Sequence, residues 1–417
     1  MKVKFITLGC KTNFYESQAL GEMFKAAGYT IVKSGEADVV VINTCAVTSM
    51  GAQKSRQQIH KAKKENPDAV IAVMGCYSQT DPKALENSSD VDVMIGTSGR
   101  GKIIDLVREA LAGKRQIFHS NILKEREYEE LCLTADQSRI RANVKIEDGC
   151  SNFCAYCIIP YARGPVRSRS LEKIIEEVKL LAKSGFAEIV LTGIHIGSYG
   201  RDLKDDTSLV DVIEAVCAVD GIKRVRLGSI EPIVITDDFV NRIKNLKNLC
   251  PQFHLSLQSG CSETLKRMKR RYTAEEYKAA IQRLRDNIPD TSITTDIMVG
   301  FPGETEEEFL ESYNFCKEIG FMQMHVFKYS IRPGTVAADM DNQIPEPVKE
   351  ERSKKLIALG EEMKKAFYDS YKGKTMDVLA EVRIKDGRFH ATTANYMDVY
   401  IESDADISGQ IVSYTFK

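Results

Sequence analysis

Glu147-Asp148-Gly149-Cys150-Ser151-Asn152-Phe153-Cys154-Ala155-Tyr156-Cys157 is the stretch around which the rest of the chain organises. Its three cysteines fall within eight residues, spaced Cys-x-x-x-Cys-x-x-Cys, just past a β-rich run at 143–147. Thiolates this close can wrap one face of an iron–sulfur cube and leave the fourth iron without a protein ligand. An open coordination position lets a metal bind a substrate rather than only hold a fold. The alternative is a zinc knuckle, which needs a fourth ligand nearby. The next histidine is His195 and the next cysteine is Cys217.

Outward from that loop, strand and helix alternate at a regular beat. Strands are predicted at 143–147, 188–191, 224–227, 253–257, 293–299 and 323–327, with helices at 171–183, 274–286 and 306–317. Six β/α units imply a partial (β/α)6 barrel rather than a full eightfold one. A charged helix over 345–370 reads as a connector back across it. In the first third, β-branched runs at 2–8, 37–42 and 69–74 alternate with helical spacing at 14–27, 49–65 and 99–112. That is the grammar of a parallel sheet wound on both faces. From residue 372, short strands at 377–384, 388–393, 398–401 and 410–415 predict a small all-β barrel. The expected class is α/β, with domains at 1–135, 140–370 and 372–417 and a charged linker at 124–130.

Composition sets the bounds. At 417 residues the prior is two or three domains. Hydrophobic residues at 43% and charged residues at 28% exclude a disordered or fibrous chain. No apolar run approaches the ~20 residues that span a bilayer, and no apolar segment of an export signal follows Met1, so a cytoplasmic protein off the membrane is expected. A formal charge of −1 means that any nucleic-acid binding comes from local patches. Eleven cysteines, an odd number, do not suit a disulfide framework in such a chain.

Three more cysteines stand in equivalent places. Cys10 (Leu8-Gly9-Cys10-Lys11-Thr12-Asn13), Cys45 (Asn43-Thr44-Cys45-Ala46-Val47) and Cys76 (Gly75-Cys76-Tyr77) each follow a predicted strand by one to three residues. In a parallel sheet the carboxyl ends share one rim, so these thiols can converge on a second cluster. A buried thiol beside a turn is the plainer reading of any one of them. Cys132, Cys217, Cys250, Cys261 and Cys316 share no ligand spacing and are read as free thiols.

The Cys-x-x-x-Cys-x-x-Cys loop opening a β/α barrel resembles the radical S-adenosylmethionine superfamily. With the amino-terminal cysteine domain and the terminal β module (Thr393-Ala394-Asn395-Tyr396-Met397-Asp398-Val399-Tyr400, similar to a TRAM domain), the whole chain resembles the methylthiotransferases of that superfamily. The resemblance implies two 4Fe-4S clusters and S-adenosylmethionine. The radical cluster would sit on Cys150, Cys154 and Cys157, and an auxiliary one on Cys10, Cys45 and Cys76. It also implies an external electron donor such as a flavodoxin or ferredoxin, and two molecules of S-adenosylmethionine consumed per product. Tyr156, Gly193, Ser229, Glu231 and Gln258 are the candidate contacts to S-adenosylmethionine, with 296–300 as a candidate wall for its adenine. His195 is read as structural.

Three basic groups could meet a polyanion: Arg163, Arg167 and Arg169; Lys54, Arg56, Lys61, Lys63 and Lys64; and the run Lys266, Arg267, Lys269, Arg270 and Arg271. Charge runs are commonly solvated faces. The third, dense in like charge, is the candidate RNA contact. The terminal module carries six basic residues against seven acidic, so its charge gives RNA binding no support. Within the family, the segments around Cys10, 55–57 and 147–160 resemble the branch that modifies N6-threonylcarbamoyladenosine beside the anticodon, which makes a tRNA anticodon stem-loop the expected partner. Sibling enzymes acting on isopentenyladenosine or on an aspartate of a ribosomal protein are the near rivals. A non-catalytic iron–sulfur RNA-binding protein is the distant one.

Overall fold

In the amino-terminal region, two buried runs decide the architecture. Strand β3 (Val39–Thr44) reads VVVINT and β4 (Val70–Gly75) reads VIAVMG, and every residue of both is buried. The computed structural model, which describes residues 1–131 and 140–417, sets them at the centre of a six-stranded sheet. Its other strands are β1 (Lys2–Thr7), β2 (Thr30–Val32), β5 (Val93–Ile95) and β6 (Gln116–Phe118), in the order β2-β1-β3-β4-β5-β6. All pairs are parallel. Val39 and Val41 pack with Tyr15, Leu20 and Phe24 of helix α1 (Lys11–Ala26) on one face. Val40 and Ile42 pack with Ala52 and Ile59 of α2 (Ser49–Glu65) on the other. Burying a branched side chain is worth about 1.5–3 kcal/mol, so a strand covered on both faces reads as a continuous apolar run. The doubly wound sheet expected from the sequence is present.

The middle region has six parallel strands: β7 (Arg141–Lys145), β10 (Glu188–Thr192), β11 (Arg224–Leu227), β13 (Gln252–Leu255), β14 (Ser292–Val299) and β15 (Gln323–Lys328). They form two sheets, β11-β10-β7 and β12-β13-β14-β15, where β12 is the two-residue strand Ser229–Ile230. The parallel bridge Val225↔Leu249 joins the sheets, and Cys250 N donates to Val225 O at 2.8 Å. The partial barrel is therefore open at one side and pinched after β11. Two short strands, β8 (Glu147–Asp148) and β9 (Arg167–Ser168), pair antiparallel and bracket the cysteine loop. The long helix Glu346–Asp369 packs along β14 and β15 as the expected connector.

At the carboxyl end, β16 (Thr375–Arg383), β17 (Phe389–Thr393), β18 (Asp398–Ile401) and β19 (Ile411–Thr415) form an antiparallel sheet in the order β18-β17-β16-β19. Where the sequence predicts a small all-β barrel, the strand pairings make a four-stranded sheet with β18 and β19 at opposite edges. It seats on the amino-terminal end of the barrel. Arg224 donates to Thr392 O (2.7 Å) and Asp377 O (2.9 Å), Arg226 to Ala394 O (3.0 Å), and Arg141 to Glu381 (2.7 Å). The cysteine loops are left free at the opposite end. The boundary expected near residue 135, and Cys132, lie outside the described residues.

Candidate active site

The loop 150–157 is fixed from both sides. Gly149, with φ +87°, passes so close to the returning chain that a Cβ would stand 2.0 Å from Pro165 O. Only glycine fits. Cys150 N donates to Gly164 O (3.0 Å), Ala155 N to Met268 O (2.9 Å), and Ala337 N to Ala155 O (2.8 Å). The three thiols open into one recess with Asn152, Tyr156, Ser229, Glu231 and Gln258 on its walls. Burial pushes the thiols of Cys150 and Cys157 up to about 12, and the neighbouring thiols add to it. Metal binding therefore has to displace protons here. None of the six candidate ligand cysteines is in a disulfide. Among the described residues no three His, Cys, Asp or Glu side chains stand close enough to hold a single metal ion. A four-iron cube is wider and takes one thiolate per iron, so three thiols around one recess with an open side fit it.

Glu231 is the hub of the recess. His195 Nε2 lies 3.1 Å from it, Asn152 Nδ2 3.2 Å and Arg270 Nη2 2.7 Å. Burial alone would raise its pKa, but the hydrogen bond from His195 and the charge of Arg270 outweigh burial and hold it at about 2. It is a fixed anion on the wall of the recess. The other ring nitrogen of His195, Nδ1, is engaged by Ser198 Oγ. Gln258 joins the recess from a left-handed backbone (φ +72°) bridged to Ile297. Ser229 Oγ meets Ser256 Oγ at 2.7 Å.

Several expectations are corrected. Gly193 immediately precedes Ile194 and His195, which line the recess. A Cβ at Gly193 would meet Glu147 Oε2 at 2.7 Å, so close packing on Glu147 is what requires the glycine. Asp296 pairs with His254 (3.3 Å) on the barrel strands, and its carbonyl accepts from the N–H of Gln258. Arg163, Arg167 and Arg169 do not face a polyanion. All three are buried and paired with Glu16, Asp148 and Glu177. The run 266–271 is divided: Arg267 is paired to Glu308, and Arg270 turns inward to Glu231 and Cys154 Sγ (3.3 Å), leaving Lys266, Lys269 and Arg271 exposed. Past the helix Ser262–Arg267 the signal is alternation, with Met268, Arg270 and Tyr272 turned inward and Lys269 and Arg271 exposed. Of the helix α2 group, Lys63 pairs with Asp92 (3.3 Å) and the others are exposed.

Glu147, beneath the loop, gives a pH prediction. Burial, aided by Asp148, raises its carboxyl to about 8 against the pull of His195 N–H, which it accepts at 2.7 Å. A raised folded pKa means stability complete below the ordinary value near 4.5 and lost as pH rises through 8. Glu147→Gln stays neutral at every pH. We expect it to gain on wild type by about 1.4 kcal/mol per pH unit between those values, to a ceiling of roughly 4–5 kcal/mol. Urea unfolding of both proteins at pH 5 to 8.5 measures this, and parallel stability curves would contradict it.

On the amino-terminal sheet, Cys10 follows β1, Cys45 follows β3, and Cys76 opens the short helix α3 (Cys76–Thr80) after β4. These strands are neighbours, so the three thiols share one rim. Gly75, at φ +102° and with Asn43 Oδ1 only 2.5 Å from where a Cβ would stand, makes the sharp exit to Cys76. Asn13 Nδ2 ties the other two exits together, donating to Leu8 O (2.7 Å) and Thr44 O (3.1 Å). Burial raises the Cys76 thiol to about 12, and Cys10 and Cys45 lie near enough to add to it. The helix Ile159–Arg163, which begins two residues after Cys157, sends Arg163 Nε to within 3.3 Å of Cys76 Sγ. The two thiol triplets therefore lie on either side of this one helix.

Residues 144–316 match the model of the radical SAM superfamily, and residues 2–96 that of the uncharacterized protein family UPF0004. The chain is 44% identical over 416 residues to the threonylcarbamoyladenosine tRNA methylthiotransferase MtaB of Bacillus subtilis, covering 98% of this chain and 92% of that one. It is 38% identical to the protein of the same name from Aquifex aeolicus, covering 99% of each. The chain belongs to the radical S-adenosylmethionine methylthiotransferase family. A sibling of that family, tRNA-2-methylthio-N(6)-dimethylallyladenosine synthase of Acetivibrio thermocellus, is 36% identical over 98% of this chain and 86% of its own. Among solved structures, the radical S-adenosylmethionine methyltransferase TsrM from Kitasatospora setae superposes with a TM-score of 0.61 at 13% identity, over 81% of this chain and 77% of that one. That likeness is one of fold. As a methylthiotransferase the chain is an enzyme that uses S-adenosylmethionine and iron–sulfur clusters. No helix among its described residues is long and apolar enough to cross a membrane.

Proposed function

We propose that this chain transfers a methylthio group to carbon 2 of the adenine in N6-threonylcarbamoyladenosine, beside the anticodon of tRNA. One observation carries the reading: two thiol triplets, from two differently built regions, lie on either side of one short helix in a chain 44% identical to an enzyme of that name. Cys150, Cys154 and Cys157 would hold the radical 4Fe-4S cluster and Cys10, Cys45 and Cys76 the auxiliary one. When bound, these groups and S-adenosylmethionine supply the electron and the carbon radical that open an unactivated C–H bond, together with the sulfur.

The chain's own residues bind and orient. Glu231, held ionised, offers a carboxylate to the ammonium or hydroxyls of S-adenosylmethionine. Gln258 and Ser229 add hydrogen-bonding groups, and Tyr156 closes the wall. Lys266, Lys269 and Arg271 remain as candidate phosphate contacts for the anticodon stem-loop, with the carboxy-terminal sheet as a TRAM-like RNA-facing module. The working division is 1–135, 140–370 and 372–417, in the cytoplasm, with a flavodoxin or ferredoxin as electron donor. Mass spectrometry of tRNA nucleosides from a strain lacking the protein tests the substrate. Loss of the methylthio mark from threonylcarbamoyladenosine is expected. Loss from isopentenyladenosine instead would assign the chain to the sibling activity.

A further inference from the structure

Arg163 is fully buried, and each of its three nitrogens has a partner. Nε points at Cys76 Sγ (3.3 Å). Nη2 donates to Asn13 Oδ1 (2.5 Å) and Glu16 Oε2 (3.2 Å), and Nη1 to Glu16 Oε1 and, at 3.4 Å, to Asp148. Asn13 in turn ties the chain exits that carry Cys10 and Cys45. Arg163 thus touches one thiol of the amino-terminal triplet and braces the other two. Its own backbone belongs to the helix that begins two residues beyond Cys157, and Asp148 stands two residues before Cys150.

Charge gives a second, independent argument. Around Arg163 the buried cations are Arg100, Lys145, Arg163 and Arg167, and the carboxylates they pair with are Glu16, Asp148 and Glu129. Each of these cations meets a carboxylate, and among the described residues of this set four positive charges share three negative ones. Carboxylates shared among several buried cations compensate each of them only in part. The group that Nε faces is the sulfur of Cys76, and a metal-bound thiolate there would add a further negative charge to the set. Hydrogen bonds to cluster sulfurs, and nearby charge, are also what set an iron–sulfur potential.

Building on the ligand assignment under Proposed function, we propose that Arg163 is a positioning residue for the auxiliary cluster. Its Nε–H donates to the Cys76 thiolate, raises the potential of the group held there, and fixes its offset from the radical site on the same peptide segment.

The test uses full-length protein in which Cys150, Cys154 and Cys157 are alanine, so that only the auxiliary site can load. This background, reconstituted anaerobically, is compared with the same protein carrying Arg163→Gln or Arg163→Lys by redox titration followed by electron paramagnetic resonance. The midpoint potential is expected to fall in Arg163→Gln, where charge and donor are both gone, and to lie between the two in Arg163→Lys. A residue that only supports the fold would leave the potential where it was. Background potential in both variants overturns the proposal. Should Arg163→Gln fail to load, a potential below background in Arg163→Lys supports the proposal and a background value overturns it. If the background protein itself holds no iron, the ligand assignment fails first and takes this inference with it.

Discussion

Cys154→Ala is expected to bring reductive cleavage of S-adenosylmethionine down to the level of enzyme-free buffer. Two remaining thiols, Cys150 and Cys157, cannot present the three-point face that the loop is built to offer. The fold has little reason to object. Cys154 contributes a small side chain at 9% exposure, and the loop's backbone is held by Ala155, through its bonds to Met268 and Ala337, rather than by the sulfur. The loss should therefore be one of chemistry, with unfolding behaviour close to wild type. Chromatographic assay of 5′-deoxyadenosine, with dithionite as reductant, measures it. Cleavage at the wild-type rate would show that Cys154 is not a ligand.

Cys10→Ala is expected to separate the two halves of the reaction. Cleavage of S-adenosylmethionine should persist, because nothing in the recess around Glu231 changes. Formation of the methylthio nucleoside should disappear, because the rim of the amino-terminal sheet retains only Cys45 and Cys76. Cys10 is exposed at the start of α1, so its truncation removes little packing and leaves the helix in place. Parallel assays of 5′-deoxyadenosine and of nucleosides from a tRNA substrate read both outcomes from one reaction. Retained product would make the amino-terminal cysteines structural thiols, and loss of both activities would show that the sites are not separable.

Much of the architecture was legible before any coordinates, for physical reasons that also explain the failures. Strands such as Val39–Thr44, buried on both faces, write themselves as apolar runs, and helices such as Ser49–Glu65 and Leu171–Lys183 carry their period in sequence. Short edge strands such as Thr30–Val32 and Gln116–Phe118 are three residues long and hold no period to read. The cysteine triplets were legible because each thiol's place after a strand fixes its rim. The arginines were not. Arg163, Arg167 and Arg169 look like surface charge because their role depends on partners such as Glu16, 147 residues from Arg163, that only the tertiary fold supplies. The packing of Gly193 against Glu147, 46 residues earlier in the chain, likewise leaves no mark in the local sequence. Local pattern sees the spacing of a loop but not what the loop leans on.

Two separate thiol triplets, each holding iron, are the claim beneath the rest. Iron and acid-labile sulfide in anaerobically reconstituted protein should come to about eight of each per chain, two four-iron cubes. The count should fall to about four when Cys10, Cys45 and Cys76 are replaced together by alanine. Wild-type protein that takes up only about four, or that binds zinc in place of iron, would contradict the account.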